Sequence, residues 1–403
     1  MAGPGRCEFW SYQARLRAIT GDRCADAPRC RLYPSAVNGH RPTLSASCCK
    51  RSDSWPRDRR SIMAVLHSSA AQNVFPGRTP VVGLDLEVAG VHRRIWLKLE
   101  CHNPHGSLKD RTAATLWESV REQAHPTEGV IESTSGNLGV ALAARCAEHR
   151  VPFTAVVEPR TSRTSIDTMR CYGARVVMID RADSTGGYLL NRLMYVREQI
   201  RMRPTLVWTN QYENAANPRA HLEHTAPELW DQLRRPATVL LAVSTGGTLA
   251  GFRQFARLHG VPWTVVGVDV EGSLALADDI PGKRILTGIG SSQRSAFAHS
   301  AAAPRVIVSA GEAVAACLWI LNETGIALGG SSGALIAAAS RWFHLNPHDD
   351  SDIAVVCPDG GDRYQGTVYS AVWREENIAT PSLTPSVRVL RVHGGTREAS
   401  GAR

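Results

Sequence analysis

The chain has 403 residues, enough for two domains with a cleft between them, and its 43% hydrophobic and 21% charged content is that of a soluble globular protein. No run of about 18 apolar residues marks a membrane span. The formal charge of +9 invites a nucleic-acid reading, but eleven Arg and one Lys against five acidic residues place +7 of it in residues 1–62; the rest is nearly neutral and has no recognised nucleic-acid motif.

Residues 1–62 lack helical or strand periodicity, are rich in Arg, Ser, Pro and Cys, and hold no apolar core for a signal peptide. They are expected to be a disordered basic arm or an over-extended gene start, with Met63 the initiator. Cys7, Cys24, Cys30, Cys48 and Cys49 lie in this segment, and Cys101, Cys146, Cys171, Cys317 and Cys357 are scattered beyond it without CxxC spacing. That usage favours a reducing cytoplasm over a disulfide framework or a zinc site.

From Thr79 the texture changes. Aliphatic and β-branched runs at 93–100, 129–134, 152–158, 174–180, 205–210, 238–245, 264–270 and 352–359 alternate with helical patterns such as 138–149, 164–173 and 186–200. The alternation predicts an α/β fold of parallel sheets covered by helices on both faces. Ligands in such folds bind beyond the carboxyl ends of strands, where Gly-rich turns lead into helices. The polar tail from Ile378 to Arg403 is expected to be flexible and mostly unpacked.

Three Gly/Ser/Thr turns sit between strand-like and helix-like runs: Ser133–Asn137, Ser244–Thr248 and Gly329–Gly333. Glycine permits close backbone approach, helix-start N–H groups point outward, and hydroxyls add donors, so each is a potential anion or polar-ligand cradle. A tight turn needs glycine for geometry alone, so the weight rests on having three. In Asn103-Pro-His-Gly-Ser-Leu-Lys109-Asp-Arg a lysine opens a helical segment, where the macrodipole lowers an amine's pKa and favours a neutral nucleophile. Taken alone it reads more readily as a solvated lysine beside Asp110, because most lysines are solvated. His221 and His224 in HLEH read as a solvated helix face, since no third metal ligand accompanies them.

The order GSLKDR, TSGN, STGGT, GGSSG, PDGGDRY resembles the cysteine-synthase-like branch of fold-type II pyridoxal-phosphate (PLP) enzymes over residues 75 to 375. The strings ESTSGNLGVALA, Gly186-Gly187-Tyr188, NQYENAAN and PDGGDRY are most similar to the branch that makes N-(2-amino-2-carboxyethyl)-L-glutamate for 2,3-diaminopropionate. The resemblance implies a tryptophan synthase β-subunit-like fold of two three-layer αβα lobes with the cofactor in the cleft. The larger, cofactor-binding lobe would take residues 75–112 and 217–375, and a smaller mobile substrate lobe residues 113–216. It also implies a homodimer.

By the same resemblance, Lys109 would hold the cofactor as a Schiff base and act as catalytic base. Asn137 would bond the ring hydroxyl, Ser244, Thr245, Gly246, Gly247 and Thr248 the phosphate, and Ser331 would face the pyridine nitrogen. Thr134, Ser135 and Gly136 would clamp the substrate carboxylate with Gln211 assisting. No metal is implied, and Asp359 and Asp362 would belong to a turn behind the cofactor.

Two departures concern specificity. Ser244 stands where cysteine synthases usually have glycine and offers a hydroxyl to a larger anionic leaving group, and Leu138 replaces the usual threonine. Arg160, Arg163, Arg294 and Arg363 could read phosphate or a second carboxylate, or be solvated surface groups; Tyr188 and Tyr212 belong either to the cleft or to the core. The implied reaction is β-replacement of O-phospho-L-serine by L-glutamate. The alternatives are a cysteine or S-sulfocysteine synthase using O-phosphoserine or O-acetylserine with sulfide or thiosulfate, and a non-catalytic PLP-fold binding protein. A nicotinamide or flavin Rossmann enzyme lacks its GxGxxG fingerprint here.

Overall fold

Valine-rich β1 (Val81–Val88) and β2 (Val91–Leu99) form an antiparallel hairpin across Ala89-Gly90, whose φ values of +49° and +80° suit the tight turn that matches strand twist. A computed structural model describes residues 76–276, 281–298, 304–378 and 387–394 of the chain. The expectation for residues 1–62 lies outside the described residues.

The hairpin is continued by β10 (Asp352–Cys357), β7 (Ala237–Ala242), β8 (Trp263–Val270) and β9 (Arg305–Val308), all parallel, and on its other edge by β11 (Val387–Gly394). The sheet is therefore mixed and not purely parallel, because β1 and β11 run antiparallel to their neighbours. A second, four-stranded parallel sheet orders β5 (Arg175–Met178), β4 (Phe153–Val157), β3 (Val130–Ser133) and β6 (Val207–Trp208).

The central strands of both sheets are buried on both faces, whereas the edge strands β5 and β11 keep exposed residues such as Met178 and Leu390. In the seven-stranded sheet Leu240, Val266 and Val355 pack on α8 (Ala310–Thr324) and α9 (Gly330–Leu345). The alternate residues Val239, Leu241, Val265 and Val356 pack on α6 (Ala226–Leu233) and α7 (Gly247–His259). In the smaller sheet Val130, Phe153 and Ala155 face α1 (Lys109–Val120) and α2 (Asn137–Glu148), whereas Ile131 and Val156 face α4 (Leu189–Met202).

The tail is not unpacked throughout, since β11 pairs with β1 from Val82 to Val88, with a register shift at Asp85/Leu86. Its His393 Nε2 lies 2.6 Å from Asp85 Oδ2, and Val389 packs against the main core. The physical reason is the free edge of β1, whose N–H and C=O groups would otherwise be unpaired.

Candidate active site

Strand-to-helix turns converge on one cavity of about 710 Å³, a size typical of small-molecule sites. Lys109, the first residue of α1, projects into it. The lysine is fixed from behind: Leu108 N donates to Pro358 O at 2.8 Å, Ser107 bridges to Asp359, and the Asp110 carboxylate accepts Ser107 N at 3.2 Å and bonds the His105 ring. Among the described residues the Lys109 amine has no hydrogen-bond or ion-pair partner. Burial holds its pKa down to about 8, against the opposing charge of Glu132. The helix start at which it sits acts in the same direction as burial.

The turn after β3 opens α2 at Asn137. Thr134 Oγ1 accepts the N–H groups of Gly136 (3.1 Å) and Gly139 (3.0 Å), leaving its own hydrogen to donate. Gly136 holds φ +140°, a conformation closed to side-chain-bearing residues. Asn137 Nδ2 donates to Asp359 Oδ2 at 2.7 Å and its Oδ1 accepts from Arg363, so one N–H of the amide stays available. Gln211 Nε2 donates to Ser133 O at 2.7 Å, bracing this turn from the strand-end side.

The turn after β7 enters α7. Gly246 has φ +85°, and a Cβ there would lie 1.9 Å from Ser295 Oγ; one on Gly247 would lie 2.1 Å from Asn217 Oδ1. Only glycine lets the backbone fit this closely, and the first-turn N–H groups of α7 lack helical partners. Ser331, second residue of α9, lines the same cavity, and its hydroxyl has no partner among the described residues.

Every anticipated site residue except Gly136 and Gly247 lines the cavity, and these two lie behind its surface as backbone spacers. Tyr188, Tyr212, Arg160, Arg163 and Arg363 also line it; Arg294 does not. Asp362 lines it, while Asp359 is buried behind Asn137 and accepts Tyr364 OH at 2.7 Å.

One reading needs correction. His221 is not on a solvated face: it is fully buried in a π-helical turn, with Nε2 3.2 Å from Thr248 Oγ1, whereas His224 is exposed. The threonines around it satisfy the ring, which local sequence does not reveal. Three further residues escaped notice. Glu132 is fully buried and binds Ser133 N (2.8 Å), Gln211 N (3.2 Å) and the Thr209 hydroxyl; burial pushes it up to about 7. Asn217 donates to Thr245 Oγ1 at 2.9 Å. Arg192, with Nη2 3.1 Å from Glu158, keeps Nε and Nη1 buried and unpartnered, and its charge reaches Tyr212. The available signal for Arg192 was an arginine on the α4 face carrying Leu189, Leu193 and Val196.

An uncommitted, depressed-pKa amine, a glycine-built anion cradle at a helix start and a free Ser331 hydroxyl fit a phosphorylated aldehyde cofactor with a heterocyclic nitrogen. The comparisons agree. The profile described as pyridoxal-phosphate dependent enzyme matches residues 73–359. Two curated relatives are named N-(2-amino-2-carboxyethyl)-L-glutamate synthase. The protein from Cupriavidus metallidurans is 38% identical, over 78% of this chain and 93% of its own. That from Ralstonia nicotianae is also 38% identical, over 74% of this chain and 88% of its own. A solved O-acetylserine-dependent cystathionine β-synthase from Helicobacter pylori superposes with a TM-score of 0.66 at 27% identity, over 73% of this chain and 97% of its own. With two sheets whose strands, β11 excepted, all lie within the family profile, the chain belongs to the pyridoxal-phosphate-dependent enzymes and has the fold-type II architecture.

Proposed function

We propose that the protein replaces the β-substituent of an activated L-serine, converting O-phospho-L-serine and L-glutamate to N-(2-amino-2-carboxyethyl)-L-glutamate and phosphate. The observation that carries β-replacement is the convergence of Lys109, the 134–137 turn, the 244–248 cradle and Ser331 on one cavity. For the substrates, the support is the name of the relatives and the charge of the walls. Among the described residues Arg160, Arg163, Lys283, Arg284 and Arg363 line the cavity against one carboxylate, Asp362, and Arg192 holds unpartnered donors behind Tyr212. A cationic cleft suits a phosphate ester and a dicarboxylate.

Residues Ser244–Thr248 would hold the cofactor phosphate, Asn137 the ring hydroxyl and Ser331 the ring nitrogen. When bound, pyridoxal phosphate supplies an electron sink that acidifies the α-hydrogen of an amino acid joined to it. Lys109 Nζ, poised by a pKa near 8, takes that proton and later returns it to Cα. Thr134 Oγ–H and the Ser135 N–H orient the substrate carboxylate, with the Gly136 N–H holding Thr134 Oγ1 from behind and Gln211 bracing the turn through Ser133 O. The Ser244 hydroxyl receives the leaving phosphate. Across the reaction the seryl Cβ–O bond breaks, a Cβ–N bond to glutamate forms, and the amine's proton is released. Residues 113–216, which have a sheet and cores of their own, are read as the mobile substrate lobe. A homodimer in a reducing cytoplasm completes the reading; the five described cysteines are free.

Single-turnover absorbance tests this. The visible band of the holoenzyme is expected to shift with O-phosphoserine and to reset with glutamate. Resetting by sulfide or thiosulfate instead would reassign the reaction to cysteine or S-sulfocysteine synthesis, and a colourless loaded protein would remove the cofactor assignment.

A further inference from the structure

The anion cradle contains two threonine hydroxyls, Thr245 and Thr248, and each is met from behind by a side chain of one helical segment, α5 (Ala216–Ala220) and the π turn His221–Thr225 that continues it. A hydroxyl has one hydrogen. If its oxygen already accepts from the protein, that hydrogen is left to point into the cavity, which is the orientation a phosphate dianion needs.

We propose that this segment presets both hydroxyls as donors: Asn217 donates to Thr245, and His221, as the Nε2–H tautomer, donates to Thr248. The proposal rests on the reading of Ser244–Thr248 as the cradle for the cofactor phosphate.

The Asn217 half follows from the donor inventory. Its Nδ2 lies 2.6 Å from Gln211 O, a carbonyl that can only accept, so this atom must be the amide nitrogen. The second hydrogen then goes to Thr245 Oγ1 at 2.9 Å, while Asn217 Oδ1 is buried without a partner. An orientation that abandons a buried oxygen persists because the two donor bonds fix it.

The His221 half follows from a chain of hydroxyls. Nδ1 lies 3.0 Å from Thr225 Oγ1, and Nε2 lies 3.2 Å from Thr248 Oγ1 and 3.3 Å from Thr112 Oγ1. Burial, reinforced by the charges of Lys109 and Arg111, keeps the ring neutral, so it carries one N–H. With that hydrogen on Nε2, Thr225 donates to Nδ1, Nε2 donates to the oxygens of Thr248 and Thr112, and the Thr248 hydrogen is free for phosphate. Packing holds the segment at this distance. A Cβ on Gly251 of α7 would lie 2.7 Å from His221 Cβ and 2.5 Å from Pro218 O, so only glycine lets α7 and the segment meet. A π turn is rare and recurs at functional positions, in keeping with a histidine placed there for its partners.

The test compares pyridoxal phosphate with pyridoxal on the full chain stripped of cofactor. His221→Leu is expected to weaken pyridoxal phosphate roughly 10- to 100-fold, the range for a hydrogen bond to a charged group, with pyridoxal unchanged within about twofold. His221→Gln, which keeps an N–H donor, is expected to recover most of the loss. A Leu variant within about twofold of wild type for the phosphorylated ligand overturns the proposal, as does an equal loss for both ligands. Should the Leu variant not fold, the ¹⁵N spectrum of wild-type His221 decides: protonated Nε2 with bare Nδ1 supports the tautomer, and the reverse excludes it. A wild type that binds both ligands equally would instead refute the cradle reading itself.

Discussion

Glu132 lies at zero exposure beneath the turn that follows β3, and its carboxyl is pushed from 4.5 up to about 7 by burial, although four donors oppose the shift. A folded-state pKa above the unfolded value makes a contribution that is fully present below about pH 4.5 and is lost as pH rises through 7. The shift corresponds to about 3 kcal/mol at most. Glu132→Gln does not titrate, so the stability difference between wild type and variant should move in the variant's favour by that order between pH 5 and 8. Thermal unfolding of the two proteins across this range measures it, and a difference that does not vary with pH would show that the carboxyl ionises normally. The contrast with Lys109 is instructive. Lys109, Asn137 and Ser331 were legible because chemistry and turn geometry both constrain residue type there. Glu132, Arg192 and His221 were not, because their significance comes from burial and from partners 27 to 79 positions away, such as Thr248 for His221 and Gln211 for Glu132.

At the scale of elements, the strands that read clearly are those with unbroken β-branched runs buried on both faces. Of the expected run 238–245, β7 takes Ala237–Ala242, and of 352–359, β10 takes Asp352–Cys357. The residues left over at their C-terminal ends supply Ser244, Thr245 and Asp359, which is why runs ending in Ser, Thr and Asp overshoot the strands. Antiparallel pairing was harder to see. β1 and β11 satisfy each other across more than 290 positions, and the alternation Val387, Val389, Val392 in β11 is broken by the register shift at Asp85/Leu86. Ending the chain at Ile378 should therefore expose the edge of β1, remove the His393–Asp85 contact and strip Val389 from the core. The expected outcome is a midpoint several degrees lower in thermal unfolding, with faster aggregation in light scattering, since an open edge carrying Val82, Leu84 and Leu86 can pair between molecules. An unchanged midpoint would mean that β11 contributes no net stability.

For the whole molecule, the order of five motifs along the chain gave more information than any one of them, because separate turns must meet at one place. They do: among the described residues, those lining the cavity fall between Leu108 and Asn377, and the family profile spans 73–359. Charge follows a different division, with +7 of the +9 in residues 1–62. Chemistry and net charge thus occupy separate parts of the chain. A protein starting at Met63 should keep its visible cofactor band and a kcat/KM within about twofold of the full chain, since the described lining residues and the family profile from residue 73 are all retained. The same truncation should abolish retention on a polyanion such as heparin, and in the full chain that retention should weaken as salt screens it. Loss of the cofactor band on truncation would mean that residues 1–62 help to build the site, whereas polyanion retention that survives truncation would place the basic surface on the enzyme domain itself.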